Sequence, residues 1–198
     1  MKKERKARVE RNTNETQITL FINLDGRGNS VIKTPINFLS HMLEIFAKNA
    51  LFDLEIRAEG DIEVDQHHLV EDVGIVLGLA LKKALGDKKG INRAGYFVYP
   101  MDEALSVLAL DISGRPNLKF KCDFKRRKIG DFDSDLAFDF FKALTDNAET
   151  TLHILNQYGR NDHHKIESIF KAFGKAMKTA CSKDKRVLDT VPSTKGLL

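Results

Sequence analysis

The sequence predicts an α+β fold of two similar duplicated halves, each an antiparallel sheet with helices on one face, packed together. Three observations carry this. Alternating apolar stretches and stretches of helical period recur in the same order twice. The phrase Asp65-Gln-His67-His68-Leu-Val-Glu71 returns as Asn161-Asp-His163-His164-Lys-Ile-Glu167, a shift of 96 residues. At the same shift, Gly78, Ala80, Lys82 and Ala84 meet Gly174, Ala176, Lys178 and Ala180. Self-similarity at a fixed offset marks an internal duplication. Its boundary is read near Gly90, with repeats at 1–90 and 91–198 forming one compact unit.

Each element follows from local pattern. Residues 5–11 alternate weakly and are read as a first strand. In 16–24, Ile18, Leu20, Ile22 and Leu24 share one face, as in a half-buried strand. Asp25-Gly26 marks a turn, and 29–34 is read as the strand returning from it in a hairpin. Pro35 ends that strand. Phe38, Met42, Ile45 and Phe46 then fall at helical spacing. Residues 52–58 alternate again. The first His-His phrase opens a helix with Leu69, Val73, Val76, Leu77, Ala80 and Leu81 on its apolar side, and Gly86 or Gly90 ends it. In the second half, strands are expected at 95–99, 104–110, 117–124 and 151–156, with a helix over 134–147. The second His-His phrase opens the last helix, carrying Ile166, Ile169, Phe170, Phe173 and Met177.

Composition narrows the function. Of 198 residues, 42% are hydrophobic, enough for a core at this length. No apolar run approaches the roughly 20 residues of a membrane span. The basic start Met1-Lys-Lys-Glu-Arg-Lys6 leads into no apolar segment, so it is not read as a secretory signal. Cys122 and Cys181 stand alone and are read as free thiols of a reducing, cytoplasmic compartment. A net charge of +4 suits an anionic small molecule better than a nucleic acid. Lys125-Arg-Arg-Lys128 is short and is read as a solvated loop.

The repeated phrase has metal-ligand character. Residues three and four apart share a helix face, so Glu71 can stand beside His67 and Glu167 beside His163. Adjacent residues point about 100° apart. His67 and His68 therefore diverge toward different ions, as do His163 and His164. Imidazole nitrogen with carboxylate oxygen suits Mn, Fe, Co, Ni or Zn. A further donor can come from the preceding helix of each half: His41, 26 residues before His67, and Asp139, 24 residues before His163. His153, in an apparent strand, is read as structural.

These residues resemble the imidazoleglycerol-phosphate dehydratase family over nearly the whole chain. The likeness runs through Arg11-Asn-Thr-Asn-Glu15-Thr, Leu24-Asp-Gly, His41-Met-Leu, Gly60-Asp, both His-His phrases and Gly90-Ile-Asn-Arg93. It continues through Pro100-Met-Asp-Glu103, Asp111-Ile-Ser-Gly-Arg115-Pro, Phe170-Lys171-Ala and Val191-Pro-Ser193-Thr-Lys195-Gly. The resemblance implies a ribosomal protein S5 domain 2-like fold. It also implies two Mn2+ per subunit, held by His41, His67, His68, Glu71, His163, His164 and Glu167. Asp139 stands where the family has its eighth ligand, a histidine. Sites between subunits and a hollow homo-oligomeric cage of twenty-four chains are implied as well.

The implied reaction removes water from D-erythro-imidazole-glycerol phosphate and gives imidazole-acetol phosphate, a step of histidine biosynthesis. A cation on one ring nitrogen lowers the pKa of the other N–H. The electron-rich ring can then expel the adjacent hydroxyl. Glu15 matches the family's proton shuttle, and Glu71 and Glu167 supply carboxylates at the metals. Arg93, Arg115, Lys171, Ser193 and Lys195 match the grip on the substrate phosphate, and Asp102 is placed near the site.

Four positions depart from the family pattern: Ser40 for an aspartate, Ile45 for a glutamine, Asn49 for a histidine, and Asp139. One rival reading is a non-catalytic, cage-forming metal binder. Retention of Glu15 and the Ser193–Lys195 tail speaks against it. Another is a two-metal hydrolase, which needs carboxylates bridging both ions, whereas these histidines diverge.

Overall fold

Alternation becomes strand and helical periodicity becomes helix throughout a computed structural model that describes residues 4–198. Met1–Lys3, the front of the basic start, lie outside the described residues. The first half contains β1 (Lys6–Asn12), β2 (Thr16–Asn23), β3 (Ser30–Lys33), α1 (Asn37–Ala50), β4 (Asp53–Gly60) and α2 (His67–Leu85). The second contains β5 (Ala94–Met101), β6 (Ala104–Asp111), β7 (Asn117–Lys121), the short β8 (Lys128–Ile129) and β9 (Phe132–Asp133), α3 (Leu136–Ala148), β10 (Thr151–Tyr158) and α4 (Asp162–Cys181).

The sheets have matching strand orders, β1-β2-β4-β3 and β5-β6-β10-β7. The α+β class and the duplication stand. Two expectations do not. The sheets are mixed rather than antiparallel, because β3 runs parallel to β4 and β7 parallel to β10. The strand after Asp25-Gly26 also forms no hairpin with β2, whose other neighbour is β4. Asp53 explains this. Its Oδ1 accepts from the Arg27 and Asn29 amides at 2.9 and 3.1 Å. That draws the chain across the end of β4 instead of back along β2. Hydrogen bonds from these amides also lower the Asp53 pKa, outweighing the opposite push of burial.

Inward residues of β2 and β4 (Ile18, Leu20, Ile22, Leu54, Ile56, Ala58) are buried, so each sheet gives one face to helices. The helices then pair across the halves, α1 with α4 and α2 with α3. The glycines matched in sequence mark the crossings. A Cβ on Gly78 would lie 2.6 Å from the Leu144 carbonyl oxygen, and one on Gly174 2.8 Å from that of Phe46. Only glycine lets the backbones approach this closely. Phe46 stacks on Phe173 at 4.9 Å between centroids, and Phe140, Phe141 and Phe170 continue the seam. Each such aromatic contact adds about 0.5–1.5 kcal/mol beyond its buried area.

The duplication extends to polar detail. Arg5 leads into β1 and holds Asp25 through two nitrogens while its third reaches the Cys181 carbonyl. Arg93 leads into β5 and holds Asp111 in the same manner, its third nitrogen reaching the Pro192 carbonyl at 2.9 Å. The second clasp ties down the C-terminal segment, which also passes close to Gly90 at Leu188 and to Gly114 at Leu198.

Candidate metal centre

Both His-His phrases begin their helices in the same way. The Asp65 side chain accepts from the His67 amide at 2.9 Å, and the Asn161 side chain accepts from the His163 amide at 3.0 Å. These bonds satisfy donors that a helix start leaves open and fix the first turn. The adjacent histidines then diverge as helical geometry requires.

The first histidine of each pair faces a helix of the opposite half. His67 Nε2 lies 3.7 Å from Glu71 Oε2, and its Nδ1 lies 3.8 Å from Asp139 on α3. His163 Nε2 lies 3.2 Å from Glu167 Oε2, and its ring centre is 6.2 Å from that of His41 on α1. Ligand atoms of His41, His163 and Glu167 all lie within 4.8 Å of one another, the one such trio among the described residues. The Asp139 group is looser. The second histidine of each pair faces a hairpin or loop of its own half. His68 Nδ1 is 3.2 Å from both Asp61 oxygens and 3.8 Å from Glu15 Oε2. His164 Nδ1 is 2.7 Å from Glu103 Oε2, and its Nε2 is 3.7 Å from Asp102.

Buried polar links hold these hairpins over the helices. Thr16, next to Glu15, donates to Asp72 of α2 at 2.5 Å, and Arg11 pairs with the same carboxylate at 2.9 Å. In the second half, Ser106 bonds Ser168 of α4, the position 96 after Asp72, at 2.6 Å. Glu103 also accepts from the Arg160 and Asn161 amides, so it braces the loop that starts α4.

Electrostatics follow from these contacts. Hydrogen bonds from His164 and backbone amides bring the Glu103 carboxyl down to about 2. The Asp61 hydrogen bond raises the His68 pKa. Burial pushes Glu167 up, but Lys171 at 2.8 Å and the nearby histidines pull it below its ordinary value. Lys171 also stands 5.5 Å from the Tyr99 ring centre. Imidazole nitrogens and carboxylate oxygens form a donor set that fits Mn, Fe, Co, Ni or Zn. His67, Glu71 and His163 keep 45%, 49% and 41% of their side chains exposed, leaving room for further ligands.

The expected phosphate residues divide. Lys171 stands beside Glu167. Arg93 meets the C-terminal segment at Pro192, next to Ser193 and Lys195, and Arg115 lies in the loop after β6, so this group sits at the opposite end of the β5–β6 hairpin from Asp102. Along eight strand residues the separation is about 25 Å. Of the positions that depart from the family pattern, Ser40 bonds Thr34 at 2.9 Å, and Asn49 donates to the Ile45 carbonyl. Ile45 is half-buried. Asp61, Glu103 and Asp131 were not among the expected site residues, although Asp61 and Glu103 lie in the motifs Gly60-Asp and Pro100-Met-Asp-Glu103. Asp131, in the β8–β9 turn, accepts from the Asn37 and Phe38 amides and so caps α1, the helix that carries His41. Lys125–Lys128 has exposed side chains, yet the Lys125 and Arg126 amides are pinned by buried Asp162. His153 is exposed on β10.

Known proteins match most of this chain in sequence and in architecture. The family model described as imidazoleglycerol-phosphate dehydratase matches residues 34–177. An imidazoleglycerol-phosphate dehydratase of Hydrogenovibrio crunogenus is 53% identical over 98% of this chain and 100% of its own length. One from Acetivibrio thermocellus is 54% identical over 98% and 100%. The crystal structure of the Staphylococcus aureus enzyme superposes with a TM-score of 0.82 at 40% identity, covering 90% of this chain and 99% of that one. The Pyrococcus furiosus structure, in complex with (S)-C348, gives 0.83 at 36% identity over 96% and 100%.

Proposed function

The chain belongs to the imidazoleglycerol-phosphate dehydratase family, an enzyme family of histidine biosynthesis, and we propose that it works with two divalent cations, Mn2+ by preference. His41, His67, His68, Glu71, Asp139, His163, His164 and Glu167 would serve as ligands, with the two histidines of each adjacent pair going to different ions. The single observation that carries this reading is convergence. Two repeat-related helix starts each aim one histidine at a carboxylate four residues on and at a polar residue of the opposite half. A duplicated core alone gives no reason for that.

When bound, such a cation lowers the pKa of a substrate ring N–H, as it does for water. The protein residues do the rest. The hydroxyl leaves from the carbon next to the ring, and a proton leaves the following carbon. Together they form water, and the remaining enol becomes the ketone. Glu15 stands in the β1–β2 turn with its carboxylate 3.8 Å from His68, exposed to an incoming ligand, and is the proton carrier of this reading. Glu71 and Glu167 hold cations. Asp102 orients ligand or substrate beside His164 Nε2.

Lys171, Arg93, Arg115, Ser193 and Lys195 take the substrate phosphate, with arginine forks and hydroxyl donors suited to its oxygens. About 25 Å of strand separates four of them from the Asp102 end. In this proposal a second chain supplies those four, and the protein is a homo-oligomer, a cage of twenty-four chains. Exposed Tyr96 and Val98 on the outer face of β5 are consistent with subunit contact. Residues 1–90 and 91–198 are taken as the two repeats, supported by the paired Arg–Asp clasps. We take the compartment to be the cytoplasm, in keeping with two free thiols. No helix among the described residues is long and apolar enough to cross a membrane. Purified protein stripped of metal and reloaded with Mn2+ is expected to eliminate water from imidazole-glycerol phosphate. Absence of turnover with Mn2+, Fe2+ and Zn2+ would overturn the reading.

A further inference from the structure

We propose that Asp61 and Glu103 are positioning residues that fix the ring orientation and tautomer of His68 and His164, so that each presents Nε2 as its free lone pair. The inference rests on reading His68 and His164 as metal ligands. It adds two residues with no ligand role of their own.

An ionised carboxylate only accepts, so a ring nitrogen held against it must carry the proton. Asp61 lies 3.2 Å from His68 Nδ1, and Glu103 lies 2.7 Å from His164 Nδ1. In the neutral form of each ring this contact leaves Nε2 bare, the form that binds a cation. A carboxylate on the remote nitrogen also makes the ring a stronger donor. In the second half, Nε2 points away from Glu103, toward the Asp102 carboxylate at 3.7 Å.

Their places in the chain make the pairing informative. The repeat shift of 96 would carry Asp61 to Gln157, so Asp61 and Glu103 are not repeat partners. Asp61 follows β4, whereas Glu103 sits in the β5–β6 turn. The turn equivalent in the first half carries Glu15, which stays 3.8 Å from His68 Nδ1. The halves therefore reach the same Nδ1 contact from different elements. Inheritance of a duplicated scaffold does not produce that, whereas a requirement on the histidine does.

The test uses the whole protein, stripped and titrated with Co2+ against a competing chelator. Asp61→Ala and Glu103→Ala are expected to weaken Co2+ binding by about 10–100-fold and to change the visible Co2+ spectrum. Glu103 also braces backbone amides, so Glu103→Gln and Asp61→Asn serve as shape-preserving variants. They should show a smaller loss in the same direction, with metal-free melting unchanged. Glu63→Ala, an exposed neighbouring carboxylate, should bind like the parent. Parent-like affinity and spectrum in all four variants would overturn the positioning role while leaving the ligand reading intact. Failure of the parent itself to bind Co2+ would overturn the ligand reading, and the inference with it.

Discussion

Lys165→Met is expected to be severely destabilising although Lys165 is not among the proposed metal or substrate residues. Lys165 and Asp162 are 3% and 2% exposed at the side chain and pair at 2.8 Å. Lys165 Nζ also donates to the Asp123 carbonyl at 2.6 Å. Asp162 accepts two backbone amides, from Lys125 and Arg126. Methionine can fill the space of the lysine stem, so little packing is lost. What remains is a buried carboxylate without its countercharge. Breaking such a pair on one side costs about 3–5 kcal/mol. For a chain of this size, that corresponds to a melting shift of about 6–20 °C.

The pH dependence carries the sign. Burial pushes the Asp162 pKa up, but Lys165 and the two amides bring it below the unfolded value of about 3.9. In the parent, its stabilising contribution is present above that unfolded value and is lost as pH falls through the folded one. In Lys165→Met the cationic partner is gone, so the gap from the parent should be widest near neutral pH and narrow in acid. The assay is thermal unfolding by circular dichroism at fixed protein concentration, from pH 7 to pH 4. Adding Asp162→Asn should recover much of the loss. A variant melting within about 2 °C of the parent at pH 7 would show that the pair acts like an ordinary surface ion pair, and the reasoning would fail.

Other outcomes follow from the same contacts. Gly174→Ala should lower stability by about 1–3 kcal/mol, measured by urea unfolding, because its Cβ would meet the Phe46 carbonyl oxygen at 2.8 Å and Asn49 Cβ at 2.7 Å. Burial pushes the Cys122 and Cys181 thiols up to about 12. A thiol reagent at pH 8 should therefore label native protein far more slowly than denatured protein; fast native labelling of Cys181 would contradict its burial. His163→Ala and His67→Ala should lose bound metal and shift the sedimentation profile to smaller species, whereas His153→Ala, on an exposed strand position, should do neither. An unchanged profile with full metal content in the first two would count against shared sites.

The helices and most strands were legible because burial on one face leaves a period in the sequence. Ile18-Leu20-Ile22 and the apolar side of His67–Leu85 are cases where packing and pattern say the same thing. The placement of β3 was not legible. Its Asp25-Gly26 turn is real, but Asp53, roughly 25 residues later, decides where the chain goes next. A single carboxylate acting at that distance leaves no local trace. The β8–β9 hairpin has two residues per strand, too few for a period. The histidine–glutamate pairs were visible because helix geometry sets their spacing. Asp61, Glu103 and Asp131 act through tertiary contact; Asp61 and Glu103 lie in motifs shared with the family, but nothing in the local pattern says which side chain each of them meets. The carboxylate partners of His68 and His164 were therefore harder to find than the histidines themselves.

The central claim is that cations held by both halves activate the substrate ring. Metal-free protein titrated with Mn2+, with bound metal per chain, native mass and dehydratase rate followed together, tests it most directly. The account predicts that activity and a large assembly rise in step as two ions bind per chain. Full turnover by protein holding no metal, or saturation with metal that leaves both mass and rate unmoved, would contradict it.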